Sequence, residues 1–112
     1  MDILEFISSV REKTLDKSVS WDKVDNDSYR LIRTKYSIFV SKYENTTMDM
    51  FSTYRLKILN GLDVMFDRTT SSDSLLLQRN EIDTAIVNLY SAIISVKTEE
   101  LNKQLKDIVD ML

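Results

Sequence analysis

Tyr54-Arg55-Leu56-Lys57-Ile58-Leu59-Asn60-Gly61-Leu62-Asp63-Val64-Met65-Phe66 reads as a β-hairpin around the chain's one glycine. Tyr54, Leu56 and Ile58 alternate with charged residues, and Leu62, Val64 and Phe66 repeat the same period of two, the mark of half-buried strands. A two-residue Asn60-Gly61 turn would place Arg55, Lys57 and Leu59 on the face of Leu62, Val64 and Phe66, burying two cations. A three-residue loop, Leu59-Asn60-Gly61 with Gly61 left-handed, pairs Ile58 with Leu62, Leu56 with Val64 and Tyr54 with Phe66. It also sets Lys57 against Asp63 on the solvent face. The second register is the predicted one.

Outward from this hairpin the chain alternates for some distance. Tyr29-Arg30-Leu31-Ile32-Arg33 and Tyr36-Ser37-Ile38-Phe39-Val40-Ser41 form a second hairpin about Thr34-Lys35, with Tyr29 opposite Val40 and Leu31 opposite Ile38. Ser18 to Lys23 alternates into the turn cluster Asp25-Asn26-Asp27, and the remaining strand starts within Met48–Ser52 after the turn Glu44-Asn45-Thr46-Thr47. Asp2, with Glu5 three residues on, opens a helix over 2–16 whose apolar face is Ile3, Phe6, Ile7, Val10 and Thr14.

Thr69-Thr70-Ser71-Ser72-Asp73-Ser74 breaks the strands and offers N-caps. Beyond it, Ile82, Ile86, Leu89, Tyr90 and Ile93 form one helical stripe, and Leu101, Leu105, Ile108, Val109 and Leu112 another. The stripe slips at Val96-Lys97-Thr98, which predicts two helices, 75–96 and 98–111. The expected fold is α+β: one domain over 1–112, an N-terminal helix, a five-stranded antiparallel meander, and two C-terminal helices on one sheet face. Trp21, Tyr29, Phe66 and Tyr90 are expected in the core.

Composition excludes much chemistry. The chain has no cysteine and no histidine, which removes disulfides, thiolate metal sites and the commonest general base. One glycine cannot build a phosphate-cradling loop. Serine and threonine have no base beside them, and the 18 carboxylates show no convergence: Asp63 has Lys57, and Glu99-Glu100 suit a helix start. The chain is therefore read as non-enzymatic, without cofactor or metal. The N-terminus lacks the pattern of a signal peptide and no stretch is apolar enough to span a membrane, so cytoplasmic residence is expected.

Two sets of residues remain as interaction candidates. Ile32, Phe39, Phe51 and Met65 alternate opposite to the core positions. They form either an apolar strip open to a protein partner or a second copy, or a surface under a further helix. Arg30, Arg33, Arg55 and Lys57, with aromatic residues between them, could instead bind RNA or single-stranded nucleic acid. Residues 28–79 carry eight basic and five acidic side chains between acidic ends, a bias too weak to mark a nucleic-acid protein by itself. Charged residues on an exposed sheet face also serve to prevent aggregation, and the protein-interaction reading is preferred.

Trp21, Tyr29, Tyr36, Tyr54-Arg55-Leu56-Lys57-Ile58 before Asn60-Gly61, and Leu89-Tyr90-Ser91-Ala92 resemble the pattern of a widespread group of small uncharacterised α–β-meander–α proteins of bacteria and their mobile elements. The resemblance covers most of the chain and implies a fold but no activity. The chain departs from it at Thr34-Lys35, where glycine or asparagine is more usual. The element order is also similar to that of double-stranded-RNA-binding domains, yet Ser74-Leu75-Leu76-Leu77-Gln78-Arg79 lacks their lysine-rich helix start. Size, acidity and the apolar strip are similar to type III secretion chaperones, which implies a dimer that binds one effector.

Overall fold

The computed structural model describes residues 1–44, 52–71 and 80–112. Its elements are α1 (Ile3–Leu15), β1 (Asp22–Asp25), β2 (Ser28–Arg33), β3 (Tyr36–Tyr43), β4 (Thr53–Asn60), β5 (Asp63–Thr69) and α2 (Glu81–Met111). The five strands form one antiparallel sheet in chain order, as the alternation predicts. Both helices lie on the same side: α1 packs along α2, and α2 crosses β3 and β4.

Local sequence explains the ends of α1. The Asp2 carboxylate accepts from the Glu5 amide at 2.8 Å, satisfying one of the first-turn donors. At the other end Lys17 is left-handed, with φ 65°. The Ser18 amide donates to the Lys13 carbonyl at 3.0 Å and the Lys17 amide to the Thr14 carbonyl at 3.2 Å, the two bonds of a Schellman motif.

The core lies between the sheet and the helices. Ile7 and Val10 of α1, Trp21, the sheet residues Tyr29, Leu31, Val40, Leu56 and Ile58, and Ile86, Leu89, Tyr90 and Ile93 of α2 form one buried cluster. Phe66 packs against its margin. Tyr90 meets Tyr29 and Tyr54 edge to face, with ring centroids 6.1 and 5.3 Å apart. The hairpin of β2 and β3 has the expected register, Tyr29 opposite Val40 and Leu31 opposite Ile38.

The hairpin of β4 and β5 does not. Asn60 pairs with Asp63, so the turn is Gly61-Leu62, with Gly61 alone at positive φ (61°), as a type II′ turn requires. Leu59 then faces Val64, but the next pair is Ile58 with Phe66, which leaves Met65 as the extra residue of a β-bulge. The bulge resolves the conflict between turn and core. The tight turn sends Leu59 and Val64 to the open face, and the one-residue shift returns Phe66 to the helix side. Leu62 and Val64, expected in the core, are exposed. Lys57 pairs with Asp67 rather than with Asp63.

The expected break in the C-terminal helix is also absent. α2 runs unbroken from Glu81 to Met111, capped by the Asn80 side chain, which accepts from the Asp83 amide at 3.1 Å. With no proline or glycine to end it, the helix continues through Val96-Lys97-Thr98 and its apolar stripe rotates instead. Residues 75–79 of the expected helix lie outside the described residues, as do four of the five positions, 48–51, within which the fourth strand was expected to start.

Candidate interaction surface

With both helices on one side, the other face of the sheet is uncovered among the described residues. Strand parity places Arg30 and Ile32 of β2, Ser37, Phe39, Ser41 and Tyr43 of β3, Arg55, Lys57 and Leu59 of β4, and Val64 and Asp67 of β5 on it. Ile32 is 45% exposed. Phe39 is half-buried between Arg30 of β2 and Lys57 of β4, its cross-strand partners. Phe39, Ser41, Tyr43, Arg55, Lys57 and Leu59 line a shallow groove of about 240 Å³. Phe39 and Leu59 give its lining apolar surface, and Arg55 and Lys57 make it basic.

The candidate strip is therefore only partly assembled. Ile32 and Phe39 share the open face, diagonal to one another across β2 and β3. Met65 sits at the bulge and borders a different cleft of about 290 Å³, with Ile3 and Phe6 of α1 and with Ile58 and Phe66. Phe51 lies outside the described residues. Leu59 and Tyr43 complete the patch in their place. The three-residue turn puts Leu59 in the loop; Gly61 read as the first residue of a tight turn is the signal that places it on the strand.

The basic candidates divide too. Arg30, Arg55 and Lys57 lie on the open face, whereas the parity of Arg33 puts it on the helix side, where its Nη1 donates to the Ile32 carbonyl at 2.9 Å. Arg55 is held in a bidentate pair by Asp67: Nε donates to Oδ1 at 2.8 Å and Nη2 to Oδ2 at 2.6 Å. The hydrogen bond from Arg55 holds the Asp67 carboxyl below the usual carboxylate range, and the same bond raises Arg55. Arg55 is thus largely committed within the sheet. Arg30 and Lys57 have no ion-pair partner within 4.0 Å among the described residues.

The remaining carboxylates are dispersed. Among the described residues no group of three or more is placed to hold a metal ion. Asp83, the one buried carboxylate among the described residues, accepts from Arg68 Nε at 2.6 Å and from the Ser71 amide at 3.2 Å, ties that fix the start of α2 to β5. A wider groove of about 520 Å³ runs beside Asp27, Lys42, Tyr54 and Tyr90 between the β1–β2 turn and α2. It contains hydroxyls but no nucleophile–base pair. No described helix is long and apolar enough to cross a membrane. Comparison with protein-family models, curated proteins and solved structures finds no match.

Proposed function

We propose that the chain is a non-catalytic protein-interaction module whose open sheet face receives an apolar segment of a partner. The observation that carries this reading is the patch of Phe39, Leu59, Ile32 and Tyr43 on a sheet face that no described element covers. The solvent face of an antiparallel sheet is ordinarily polar, and contiguous apolar side chains there favour association. Arg30 and Lys57 at the margin of Phe39 suit a segment with acidic residues beside its apolar anchors.

The reading is tested by tagged capture from the native host, comparing the wild type with Phe39→Asp. Phe39 is half-buried on a face without tertiary packing, so the variant should keep its circular dichroism and Trp21 fluorescence. A partner recovered near stoichiometry by the wild type and lost in folded Phe39→Asp supports the surface. Equal capture by both removes it.

Phe39 lies between the cations Arg30 and Lys57, with Tyr43 further along the same face, which favours one other reading: bases of a single strand stacked on the aromatic rings. Such binding falls steeply with salt. Absence of oligonucleotide binding at low ionic strength eliminates it.

A further inference from the structure

The C-terminal half of α2 is a second surface, unrelated to the sheet face. Ile86, Leu89, Tyr90, Ile93 and Val96 bury the first half of the helix, while every residue from Thr98 onward is exposed, with Glu99 paired to Lys17 and Thr98 and Leu101 beside Lys23 and Tyr29. At about 100° per residue, the apolar stripe turns by roughly a quarter of a circle between Ile93 and Leu101. Leu101 is 52% exposed, Leu105 50%, Ile108 55% and Val109 66%. This stripe extends back to Ile94, which borders a cleft of about 280 Å³ at the root of the free segment with Lys23, Tyr29, Thr98 and Leu101.

The charge pattern identifies what covers the stripe. With Thr98, Leu105 and Leu112 at heptad positions a and Leu101 and Ile108 at d, the flanking e and g positions are Lys97, Asn102, Gln104, Val109 and Met111, and Lys97 is paired within its own helix to Glu100 at 3.5 Å. All six charged residues of the segment, Glu99, Glu100, Lys103, Lys106, Asp107 and Asp110, fall on the outer positions b, c and f. A helix that selects a different partner does so with complementary charges at e and g. With Lys97 the single charged flank, set opposite the other copy's Val109 when Leu101 meets Leu105, no like charges come together when the sequence meets itself in antiparallel register.

We propose that this segment pairs antiparallel with the same segment of a second copy. Setting Leu101 against the partner copy's Leu105 buries the most apolar surface. Thr98 then lies beside Ile108 of the other chain and Ile94 beside its Leu112, so the last turn of each helix fills the cleft at the root of the other. Parallel pairing leaves both clefts open and crowds the two bodies at one end.

Sedimentation equilibrium on the full chain tests the association, and single cysteines in this cysteine-free sequence test the direction. The wild type is expected to dimerise, and Leu101→Glu/Leu105→Glu, whose side chains are half-exposed, to be a folded monomer by circular dichroism. Gln104→Cys, next to the two-fold axis, should form an intermolecular disulfide. Thr98→Cys should not, because antiparallel pairing separates the two copies of residue 98 by about 15 Å along the axis, beyond the reach of a disulfide. A monomeric wild type, a dimer that survives the double substitution, or cross-linking through Thr98→Cys in place of Gln104→Cys overturns the proposal. Phe39→Asp should leave the dimer intact, which separates this surface from the sheet face.

Discussion

The indole N–H of Trp21 donates to Thr14 Oγ1 at 2.9 Å, and that hydroxyl donates in turn to the Val10 carbonyl at 2.8 Å. Both side chains are almost wholly buried, Trp21 at 2% and Thr14 at 1% exposure. The hydroxyl therefore lets the largest side chain in the protein enter the core without an unsatisfied donor, and it fixes the end of α1 to the start of β1. Thr14→Val keeps the shape and removes the acceptor. It should destabilise the fold by about 2 kcal/mol, the cost of one buried unpaired donor. Thr14→Ser should cost less because it keeps the bond. Urea denaturation followed by the fluorescence of the sole tryptophan measures both, and equal stability of Thr14→Val and wild type contradicts this role.

Arg68 and Asp83 join β5 to the first turn of α2 across the helix side of the sheet. The Asp83 side chain is 5% exposed and that of Arg68 34%. Truncating Arg68 strands a buried carboxylate, for which about 3–5 kcal/mol is usual. Water entering beside the partly exposed arginine should reduce the loss in Arg68→Ala to roughly 2–3 kcal/mol. Asp83→Asn, which retains an acceptor for the Ser71 amide, should lose less. A double-mutant cycle with Arg68→Ala and Asp83→Ala should give a coupling above about 1 kcal/mol. Additive losses contradict the pairing.

Most of the architecture was legible because it rests on local periodicity. Alternation placed Tyr29, Leu31, Ile38, Val40, Leu56 and Ile58 on one face, and the acid at Asp2 marked the start of α1. The β4–β5 register was not legible in the same way. Glycine first in a tight turn and Phe66 in the core are compatible only through a bulge, which costs one residue that no pattern announces. The continuity of α2 was missed for the opposite reason. A rotating apolar stripe has the same appearance in sequence whether the helix breaks or simply changes the surface it serves. The open-face patch was half legible. Ile32 and Phe39 follow from parity on well-registered strands, whereas the bulge displaces Met65 and the tight turn, not the pattern, brings Leu59 onto the face.

Among the described residues two non-glycine residues hold left-handed backbone, Lys17 at φ 65° and Thr34 at φ 52°. A β-branched residue is especially ill suited to that region. Thr34→Gly should stabilise the protein by about 1 kcal/mol, the backbone strain released less the entropy that glycine adds to the unfolded chain. Lys17→Gly should gain less, roughly 0.5 kcal/mol, because it also loses the exposed ion pair with Glu99. Gly61 at φ 61° has nothing within 4 Å of where a Cβ would stand. Gly61→Ala should therefore cost about 1 kcal/mol from backbone conformation alone. The three variants form one calorimetric series, and a lower melting temperature for Thr34→Gly refutes the assignment of strain to that turn.

Tyr90 gives the fold an alkaline limit. Burial pushes its phenol up to about 12 from 10.0, with smaller contributions from the charge of Asp27 and from Tyr29 and Tyr54. Tyr29 is raised by the same two main causes, burial and then Asp27. A phenol raised on folding favours the folded state while it stays neutral in both states. That contribution is complete below pH 10 and is lost as pH climbs from 10 towards 12, because the unfolded chain releases the proton first. Wild-type stability should fall through this interval, and Tyr90→Phe, which keeps the ring packed against Tyr29 and Tyr54, should fall less steeply. The difference in alkaline absorbance between wild type and Tyr90→Phe should titrate near pH 12. A difference curve centred near 10 would show that the Tyr90 hydroxyl reaches water freely, and the two stability profiles would then coincide.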